Sequence, residues 1–401
     1  MDIDLLNKLL ENSTFLIDGC NIEYKRYFLK EIDFNQKLIG IIGARGVGKT
    51  TAILQYLKEL EISYNKKLYI SADMIEISDI SLFEIAKIFS QYGGELLAID
   101  EIHKKPNFEI DLKNIYDRLN IKVIFSGSSA IKLEHSKADL SRRALIYKAK
   151  NLSFREFLEL KLKREFKSLT LEDILNNHTD IATILTKEFK PFEYLKEYTQ
   201  KGGYYPFYFE DEKNYLKRLE STINTVIEVD LPSIFSMKYE NVINLKKLVK
   251  LLCSSNPYEL NITELSKKIA ISRDKLYRYI YYLNLGSIFL SIYSKTRGDS
   301  IFTKPSKLYL NNPNLYYAYC KDTKIGTIRE NFFANIFIDK FDINYSQIGD
   351  FIVENRYIFE IGGKKKSFKQ IESIKNSYVV ADGIEIGFGN KIPLWLFGFL
   401  Y

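Results

Sequence analysis

Short apolar runs rich in β-branched residues alternate with longer stretches of helical periodicity between residues 37 and 155. These runs predict β-strands at Leu38–Ile42, Lys67–Ser71, Leu96–Ile99, Lys122–Phe125 and Ala144–Tyr147. Strands that alternate with helices favour a parallel sheet, because parallel neighbours need a crossover connection that is usually a helix. We therefore predict a doubly wound α/β core over residues 37–155, preceded by a helical N-terminal extension at residues 1–36.

The pattern becomes helical and charged after this core. Strand signals fade from about Phe154 to Leu251, and the helical stretches are broken at Gly202–Gly203 and at Pro206. Proline and paired glycines interrupt helices, because proline lacks an N–H donor and glycine is conformationally free. Residues 156–240 are therefore predicted to form an all-α lid.

Two amphipathic helices separated by a short turn are predicted between Ile262 and Leu283. The turn falls at Ile271–Ser272, where the Ser272 hydroxyl is placed to cap the second helix. This pattern is typical of a helix-turn-helix, and apolar runs at 287–293 and 307–310 supply two strands for a wing. Residues 241–312 are therefore predicted to form a winged helix.

The final segment, residues 313–401, returns to an alternating pattern of helix, strand, strand, helix and strand. This pattern predicts a second and smaller α/β domain. Its aromatic tail, residues 392–401, is interpreted as a buried final strand, since it falls well short of the roughly 20 apolar residues that a membrane span needs.

Composition and charge narrow the class of protein. A chain of 401 residues with 46% hydrophobic content, 20 Gly and 8 Pro is a folded protein of roughly two to three domains, which excludes a disordered or collagen-like chain. The acidic N-terminus lacks the features of a signal peptide, so we expect a cytoplasmic protein with no membrane partner. The net charge of +7 is compatible with nucleic acid binding and does not decide it.

The cysteine and histidine positions argue against a disulfide framework or a metal centre built on these residues. Cys20, Cys253 and Cys320 are odd in number, far apart and outside any CxxC spacing. Only three histidines are present, and none is paired at a spacing typical of metal ligands. We therefore expect buried free thiols.

The segment Gly43-Ala-Arg-Gly-Val-Gly-Lys-Thr50 fits the phosphate-binding pattern GxxxxGK(S/T). It follows a predicted strand and opens a helical stretch, which is the context that this motif requires. Its glycines let successive N–H groups face phosphate, while Lys49 would bridge the β- and γ-phosphates and Thr50 would hold Mg²⁺. ATP and Mg²⁺ are thus the predicted ligands. The predicted binding residues are Gly43, Ala44, Arg45, Gly46, Val47, Gly48, Lys49, Thr50 and Thr51, of which Arg45 is interpreted as facing solvent or DNA.

Two carboxylates end the apolar run at Leu96–Ile99. Asp100 stands at the predicted carboxyl end of the strand, where open α/β sheets bind ligands, and would help to hold Mg²⁺. Glu101 is suited to polarise the attacking water as the catalytic carboxylate. The run that ends in Ser126 and Ser128 offers hydroxyls that either contact the γ-phosphate or the water, or only form a turn, and Ser128 is the catalytic candidate among them.

These motifs, taken in order, resemble the bacterial and archaeal AAA-type ATPases that carry a C-terminal nuclease-like domain of unknown function. The resemblance rests on Ile99–Pro106, Ser126–Ser129, Asp139–Ala144, Leu152–Phe157 and Gly202–Pro206, on the helix-turn-helix, and on Glu330 and Gly349–Val353. It implies an AAA-like P-loop core, a helical lid, a winged helix and a restriction-endonuclease-like terminal domain at residues 313–401. It implies no particular biological role.

Arg143 matches a Gly-Arg position of that family, with Arg142 in place of the glycine. The resemblance implies that Arg143 acts either as a finger on the γ-phosphate of a neighbouring subunit or as a sensor in its own subunit. The alternative is an arginine at a strand edge that pairs with an acidic neighbour. A homo-oligomer is therefore among the candidate partners.

A metal-dependent nuclease centre is the second chemistry that the resemblance raises. Nucleases of the restriction-endonuclease type place two or three carboxylates around Mg²⁺, with a lysine two residues past a carboxylate. Glu330, Asp350 and Glu360 stand in the right order as metal ligands, but Gly362 occupies the position where the lysine is expected. Lys364, two residues further on, is the alternative source of the cation. We therefore expect a vestigial site on a domain that docks DNA or protein, with an active nuclease as the alternative.

Basic and aromatic residues are interleaved on the second helix of the predicted helix-turn-helix. Arg273, Lys275 and Arg278 are placed to contact DNA phosphates if this helix lies in a major groove. The same helix would serve equally to dock a protein partner. The sequence thus favours an Mg-ATP hydrolysing ATPase that couples nucleotide state to DNA binding or remodelling. A nucleotide-operated protein-interaction switch with slow turnover and an ATP-gated metal-dependent nuclease are the alternatives.

Overall fold

The computed structural model describes residues 2–127, 140, 142–204, 211–235, 237–254, 261–295 and 304–400. It divides into two units, Met1–Asn151 and Leu152–Tyr401. Within the described residues, no helix combines the length and the apolar character needed to cross a membrane.

A five-stranded parallel sheet forms the centre of the first unit. Its strands are β1 (Leu38–Gly43), β2 (Lys67–Ser71), β3 (Leu96–Asp100), β4 (Lys122–Gly127) and β5 (Leu145–Ala149), in the order β2-β3-β4-β1-β5. The four α-helices that the structure describes in this unit are α1 (Ile3–Gly19), α2 (Lys49–Glu59), α3 (Leu82–Gln91) and α4 (Phe108–Arg118). The predicted strands and their parallel arrangement are confirmed. Their continuous apolar runs match burial on both faces, which the crossover helices of a parallel sheet provide.

The N-terminal helix covers one edge of this sheet. Asp2 caps α1 by accepting a hydrogen bond from the Leu5 N–H, and the apolar face of the helix buries Leu6 and Leu9 in the core of the unit. The backbone N–H of Tyr69, on the edge strand β2, donates to Ser13 Oγ over 2.8 Å. Because an edge strand otherwise leaves N–H groups open to pairing with other chains, α1 protects this edge.

The second unit begins with helices that share a core with the end of the chain. Its first helices are α5 (Phe154–Leu162), α6 (Leu171–Leu185), α7 (Pro191–Lys201), α8 (Tyr215–Thr225) and α9 (Leu231–Phe235). The Phe154 ring lies 6.1 Å from the Phe399 ring and 6.4 Å from the Phe332 ring, each at a steep angle. The helices predicted as a lid therefore pack with the C-terminal segment in one unit.

Three helices and a β-hairpin follow, in the order expected from the sequence. They are α10 (Tyr239–Ser254), α11 (Ile262–Ile269), α12 (Arg273–Leu285), β6 (Phe289–Ile292) and β7 (Lys307–Leu310), and the two strands pair in antiparallel fashion. Ser272 caps α12, because its side chain accepts a hydrogen bond from the Lys275 N–H at 3.3 Å. The prediction of this cap is confirmed.

The last elements form a mixed five-stranded sheet. After α13 (Pro313–Tyr319) and α14 (Ile325–Phe337) come β8 (Ile343–Tyr345), β9 (Phe351–Val353), β10 (Tyr357–Gly362), β11 (Ser377–Ala381) and β12 (Lys391–Pro393). The order is β12-β11-β10-β9-β8, with β8, β9 and β10 antiparallel to their neighbours and β10, β11 and β12 parallel.

Two expectations for this region are wrong. Turns, and no helix, connect β10 to β11 across residues 363–376. The aromatic tail is not one long strand, because the strand ends at Pro393 and the chain continues as a 3-10 helix, Leu394–Phe399, whose side chains are all buried. Proline lacks the N–H that a continuing ladder needs, and the following rings gain more from packing among the phenylalanines.

The cysteines behave differently from the expectation of free thiols. Cys253, in α10, and Cys320, just after α13, form a disulfide with their Cα atoms 5.3 Å apart. Cys20 is a free thiol, and its burial raises its pKa. The disulfide was missed because the partners are 67 residues apart, and only the packing of the helices brings them together.

Candidate functional site

The phosphate-binding segment forms a tight loop between β1 and α2. Gly46 and Gly48 adopt positive φ angles of 81° and 88°, which glycine tolerates without strain. A side chain at Gly43 would place its Cβ atom 2.2 Å from the Ala149 carbonyl oxygen, so the start of the loop lies directly against the end of β5. The loop leads directly into the N-terminus of α2, where backbone N–H groups favour the binding of anions.

Lys49, the first residue of α2, keeps its charge inside the loop. Its Nζ donates to the carbonyl oxygens of Gly43, at 3.0 Å, and Ala44, at 2.8 Å, and the residue is buried. Thr50 and Thr51 follow on the first turn of the helix. Arg45 is half-buried in the loop. The geometry thus brings together the residues that the motif predicts.

Asp100 is the centre of a small hydrogen-bond network at the carboxyl end of the sheet. Thr50 Oγ1 donates to Asp100 Oδ2 at 2.5 Å, and the Tyr69 hydroxyl donates to the same oxygen at 2.9 Å. Ser126 Oγ donates to Asp100 Oδ1. Burial and the neighbouring Asp100 carboxylate raise the pKa of Tyr69, so this phenol stays a neutral donor. Hydroxyls from α2, β2 and β4 therefore orient one carboxylate beside the P-loop.

Glu101 leaves the strand in a different direction from Asp100. Its backbone is left-handed, with φ 49° and ψ 39°, a conformation that costs energy for a residue other than glycine. Its side chain is 23% exposed, and its Oε2 lies 3.4 Å from Nε2 of the buried His103. The turn therefore separates a buried carboxylate from a neighbour that reaches toward solvent.

The donor set of this site fits a magnesium nucleotide. The Thr50 hydroxyl and the Asp100 carboxylate are hard oxygen ligands, and Lys49 supplies a cation for phosphate oxygens. Among the described residues, no group of three or more His, Cys, Asp or Glu side chains is arranged to hold a metal ion. A magnesium ion held by few protein groups and by substrate phosphates is consistent with such a site.

Arg26 is a component of the site that the sequence did not reveal. It is buried, and its Nη1 donates to the Val47 carbonyl oxygen in the P-loop at 2.7 Å. Its Nη2 donates at 3.0 Å to each of the carbonyl oxygens of Lys150 and Asn151. One guanidinium therefore ties the P-loop to the last residues of the first unit. No local pattern signals this role, because the contacts span 21 to 125 residues.

Arg143 lies away from the P-loop of its own chain. It forms two hydrogen bonds to the Asp117 carboxylate, at 2.9 and 3.0 Å, and it precedes β5. Leu145 pairs with Ile39 near the start of β1, whereas the P-loop follows the end of β1. The structure shows Arg143 paired with an acidic neighbour, and its role at a γ-phosphate, in its own subunit or in a neighbouring one, stays a prediction. Ser128 lies outside the described residues.

The predicted DNA contacts differ in exposure along α12. Arg273 and Arg278 are exposed, and Lys275 is half-buried with its Nζ 5.7 Å from the centre of the Tyr279 ring. The opposite face buries Leu276 and Ile280 in the core. Two of the three predicted cations are thus presented to solvent on one short helix.

The three carboxylates of the C-terminal sheet are buried beside lysines. Glu330 is on α14, Asp350 precedes β9 and Glu360 is on β10. Nζ of Lys307, from β7, lies 3.1 Å from Glu330 Oε2 and 3.0 Å from Asp350 Oδ1. Lys307 was not among the predicted site residues, because it precedes the predicted domain.

The lysine nearest to Glu360 is Lys366. A Cβ atom on Gly362 would meet the Lys366 side chain at 2.7 Å, so the stem of Lys366 fills the space beside this glycine. The Lys366 ammonium forms an ion pair with Glu360. Burial raises the pKa of Glu360, and Lys366 partly opposes this effect. Lys364, which the sequence offered only as an alternative cation, is exposed.

Comparison with known protein families matches the segment that contains the phosphate-binding loop. Residues 35–158 match a family described as AAA domain, and residues 192–325 match a domain of unknown function (DUF8612). An uncharacterized protein of Methanocaldococcus jannaschii is 28% identical over 425 aligned positions, which cover 96% of this chain and 89% of the relative.

Solved structures that match this chain do so at low sequence identity. AMPPCP-bound DnaA from Aquifex aeolicus is 17% identical, with a TM-score of 0.25, over 64% of this chain and 84% of DnaA. The S. cerevisiae Hsp104-ADP complex is 14% identical, with a TM-score of 0.30, over 71% of this chain and 44% of Hsp104. Residues 35–158 are therefore similar to the AAA domain family, and the loop at residues 43–50 has the sequence pattern and the position of a P-loop.

Proposed function

We propose that this protein binds and hydrolyses Mg-ATP at the P-loop and that nucleotide state is coupled to DNA binding through α12. The observation that carries the first part is the hydrogen bond from Thr50 to Asp100, with Glu101 next in the chain. This contact joins the P-loop to the strand that ends in two carboxylates, which is the arrangement that phosphoryl transfer to water requires.

Each residue of the site has a separate role in this proposal. Lys49 and the N-terminus of α2 neutralise and orient the β- and γ-phosphates. Thr50 and Asp100 would hold Mg²⁺, which offsets charge on the phosphate oxygens. Glu101 orients a water molecule, whose oxygen attacks the γ-phosphorus while the bond to the bridging oxygen of ADP breaks, and the proton of the water passes to the carboxylate.

The test separates binding from turnover. We expect Lys49→Ala to abolish tight ATP binding, whereas Glu101→Gln retains binding and stops hydrolysis, because only Glu101→Gln removes the group that orients water. Glu95→Gln is a matched control, since Glu95 precedes the same strand at its other end and pairs with Lys66 on the surface. Fluorescent nucleotide binding and phosphate release measure the two effects. Hydrolysis by Glu101→Gln at the wild-type rate would contradict the assignment.

DNA is the partner that the exposed cations of α12 favour. Arg273 and Arg278 are accessible on the second helix of a helix-turn-helix that is followed by a hairpin, and we infer that these elements form a winged helix. The net charge of +7 is compatible with the same class of partner.

The salt dependence of binding to duplex DNA tests this partner. Replacing both Arg273 and Arg278 by Ala is expected to weaken binding and to flatten the dependence of log K on log salt by about one to two units. ATP binding is expected to survive. Lys268→Ala is the control, since Lys268 is on the neighbouring helix and pairs with Glu264. An unchanged slope would instead favour the protein-interaction switch, in which α12 docks a protein and turnover is slow.

A further inference from the structure

The carboxylates of the C-terminal sheet do not fit the divalent metal that a restriction-endonuclease-like domain would carry. Within the part of the chain that the structure describes, no three acidic, cysteine or histidine side chains are arranged around a common metal position. Glu330 and Asp350 instead share the ammonium group of Lys307. The cation between these two carboxylates is thus part of the chain itself.

Lys307 is enclosed on every side that the structure describes. Its relative exposure is 0%, and its Nζ lies 4.5 Å from the centre of the Phe351 ring. A buried ammonium is costly unless charged acceptors surround it, and Glu330 and Asp350 provide them at hydrogen-bond distance. The Lys307 side chain is therefore bound by the same oxygens that a metal would need.

Each of the two carboxylates also accepts a hydrogen bond from a neutral donor. The Tyr309 hydroxyl donates to Glu330 Oε2 at 2.6 Å, and the backbone N–H of Ile361 donates to Asp350 Oδ2 at 2.7 Å. Direct ligation of Mg²⁺ needs oxygens at about 2.1 Å in octahedral geometry. A metal at that distance would displace these donors and would lie against the Lys307 ammonium in a site with little water to screen the repulsion.

The third carboxylate has a lysine of its own. Lys366 pairs with Glu360 across the bare backbone of Gly362. Three carboxylates and two ammonium groups leave a formal charge of −1, where three carboxylates alone would carry −3. The electrostatic attraction for a divalent cation is correspondingly weaker.

We infer that Lys307 is the resident cation of this cluster, that it excludes divalent metal, and that the cluster anchors the hairpin to the C-terminal sheet. The anchor is extended by Asn331 Nδ2, which donates to the Leu310 carbonyl oxygen at 2.7 Å, and by the Tyr345 N–H, which donates to the Tyr293 carbonyl oxygen at 2.8 Å. The C-terminal sheet therefore serves to hold the hairpin and not to cleave nucleic acid. This inference does not depend on the proposed ATP hydrolysis.

Mn²⁺ binding to the full-length protein without nucleotide tests the inference, with free Mn²⁺ counted by electron paramagnetic resonance. The wild type and Asp350→Asn are expected to bind the same number of Mn²⁺ ions. Lys307→Met is expected to gain one site, which is lost again in the double variant Lys307→Met/Asp350→Asn. Lys391→Met is the matched control, because Lys391 is a buried lysine of the same unit whose Nζ donates to the backbone carbonyl oxygens of Lys364 and Lys366.

Two results would overturn the inference. One is a wild-type Mn²⁺ site, or metal-dependent cleavage of DNA, that disappears in Asp350→Asn. The other is a folded Lys307→Met variant, judged by circular dichroism, that gains no Mn²⁺. If Lys307→Met does not fold, the comparison of the wild type with Asp350→Asn decides alone, since it needs no change at Lys307.

Discussion

The two acidic sites of this protein differ in the kind of donor that surrounds each carboxylate. The described partners of Asp100 are three hydroxyls and one backbone N–H, all neutral. Glu330 and Asp350 share the charged donor Lys307. Neutral donors orient a carboxylate and leave its charge available to an added cation, whereas a buried ammonium compensates that charge from within. A row of acidic residues in the right order therefore does not by itself make a metal site.

The position of each site in its sheet explains this difference. Asp100 ends a parallel strand beside a glycine-rich loop, at the edge where ligands enter α/β sheets. Asp350 is in contact with β7 through Lys307, and all four residues of this strand are buried. Because β7 is adjacent to this carboxylate, its residue Lys307 donates a hydrogen bond to Asp350.

Asparagine at each aspartate gives the largest expected contrast between the two sites. We expect Asp100→Asn to lower kcat for ATP about 100-fold, because it removes a charge that would stabilise Mg²⁺ on the phosphates. Asp350→Asn is expected to leave kcat within about twofold of the wild type. Steady-state phosphate release at saturating Mg-ATP measures both. Equal losses of kcat in the two variants would contradict the difference between the two sites.

The parts of the first site that are contiguous in sequence could be predicted. The loop at residues 43–50 and the pair Asp100–Glu101 each carry their signal within a few residues and next to a strand, and the sheet then brings Thr50 to Asp100. Arg26 gave no such signal, because its three acceptors are backbone carbonyl oxygens, which any sequence supplies.

At the second site, the lysines that contact the carboxylates also could not be predicted from local sequence patterns. Glu330, Asp350 and Glu360 were predicted as metal ligands from their order along the chain, and the structure places all three beside lysines. Lys307 was missed because it lies 23 residues before Glu330, in a strand assigned to a different domain. Lys366 was missed because a glycine at position 362 makes room for a side chain from four residues further on, which spacing alone does not show.

Arg26 offers a way to disturb the first site without touching a carboxylate. We expect Arg26→Met to lower kcat/KM for ATP about tenfold, mainly through KM, because the Val47 carbonyl loses the donor that fixes the loop. Arg26→Lys should restore part of the loss. Gln55→Met is the matched control, since Gln55 holds the same N-terminal segment through the Asn21 and Tyr24 carbonyl oxygens and has no bond to the loop. If Arg26→Met and Gln55→Met have the same KM for ATP, Arg26 does not contribute to ATP binding.

Replacing Tyr69 tests the contribution of one of the neutral donors to Asp100. Tyr69→Phe removes one of three hydroxyls while the ring stays in place, so we expect kcat to fall by a factor of about three. The Mg²⁺ concentration at half-maximal rate should rise, whereas the KM for ATP should not. Tyr64→Phe is the control, because the Tyr64 hydroxyl donates to Asp18 on the surface of the same unit. An unchanged Mg²⁺ dependence would mean that Tyr69 serves packing alone.

Glu360 gives the smallest expected effect and tests how completely Lys366 compensates its charge. Burial raises the pKa of Glu360 above its usual value of 4.5, although Lys366 opposes the shift. The folded state therefore binds this proton more tightly than the unfolded state. The stability that the proton contributes is fully present below the unfolded pKa and is lost as the pH rises through the folded pKa.

Glu360→Gln has no proton to lose at this position. We therefore expect the Tm of Glu360→Gln, measured relative to the wild type by differential scanning calorimetry, to rise by a few degrees between about pH 4 and 7. The exposed Glu372 provides the control variant Glu372→Gln, whose Tm difference from the wild type should stay constant over the same range. If the relative Tm of Glu360→Gln instead falls as the pH rises, the ion pair with Lys366 outweighs the burial of the carboxylate. The charge of Glu360 would then be compensated by a lysine of its own, which would widen the contrast with Asp100.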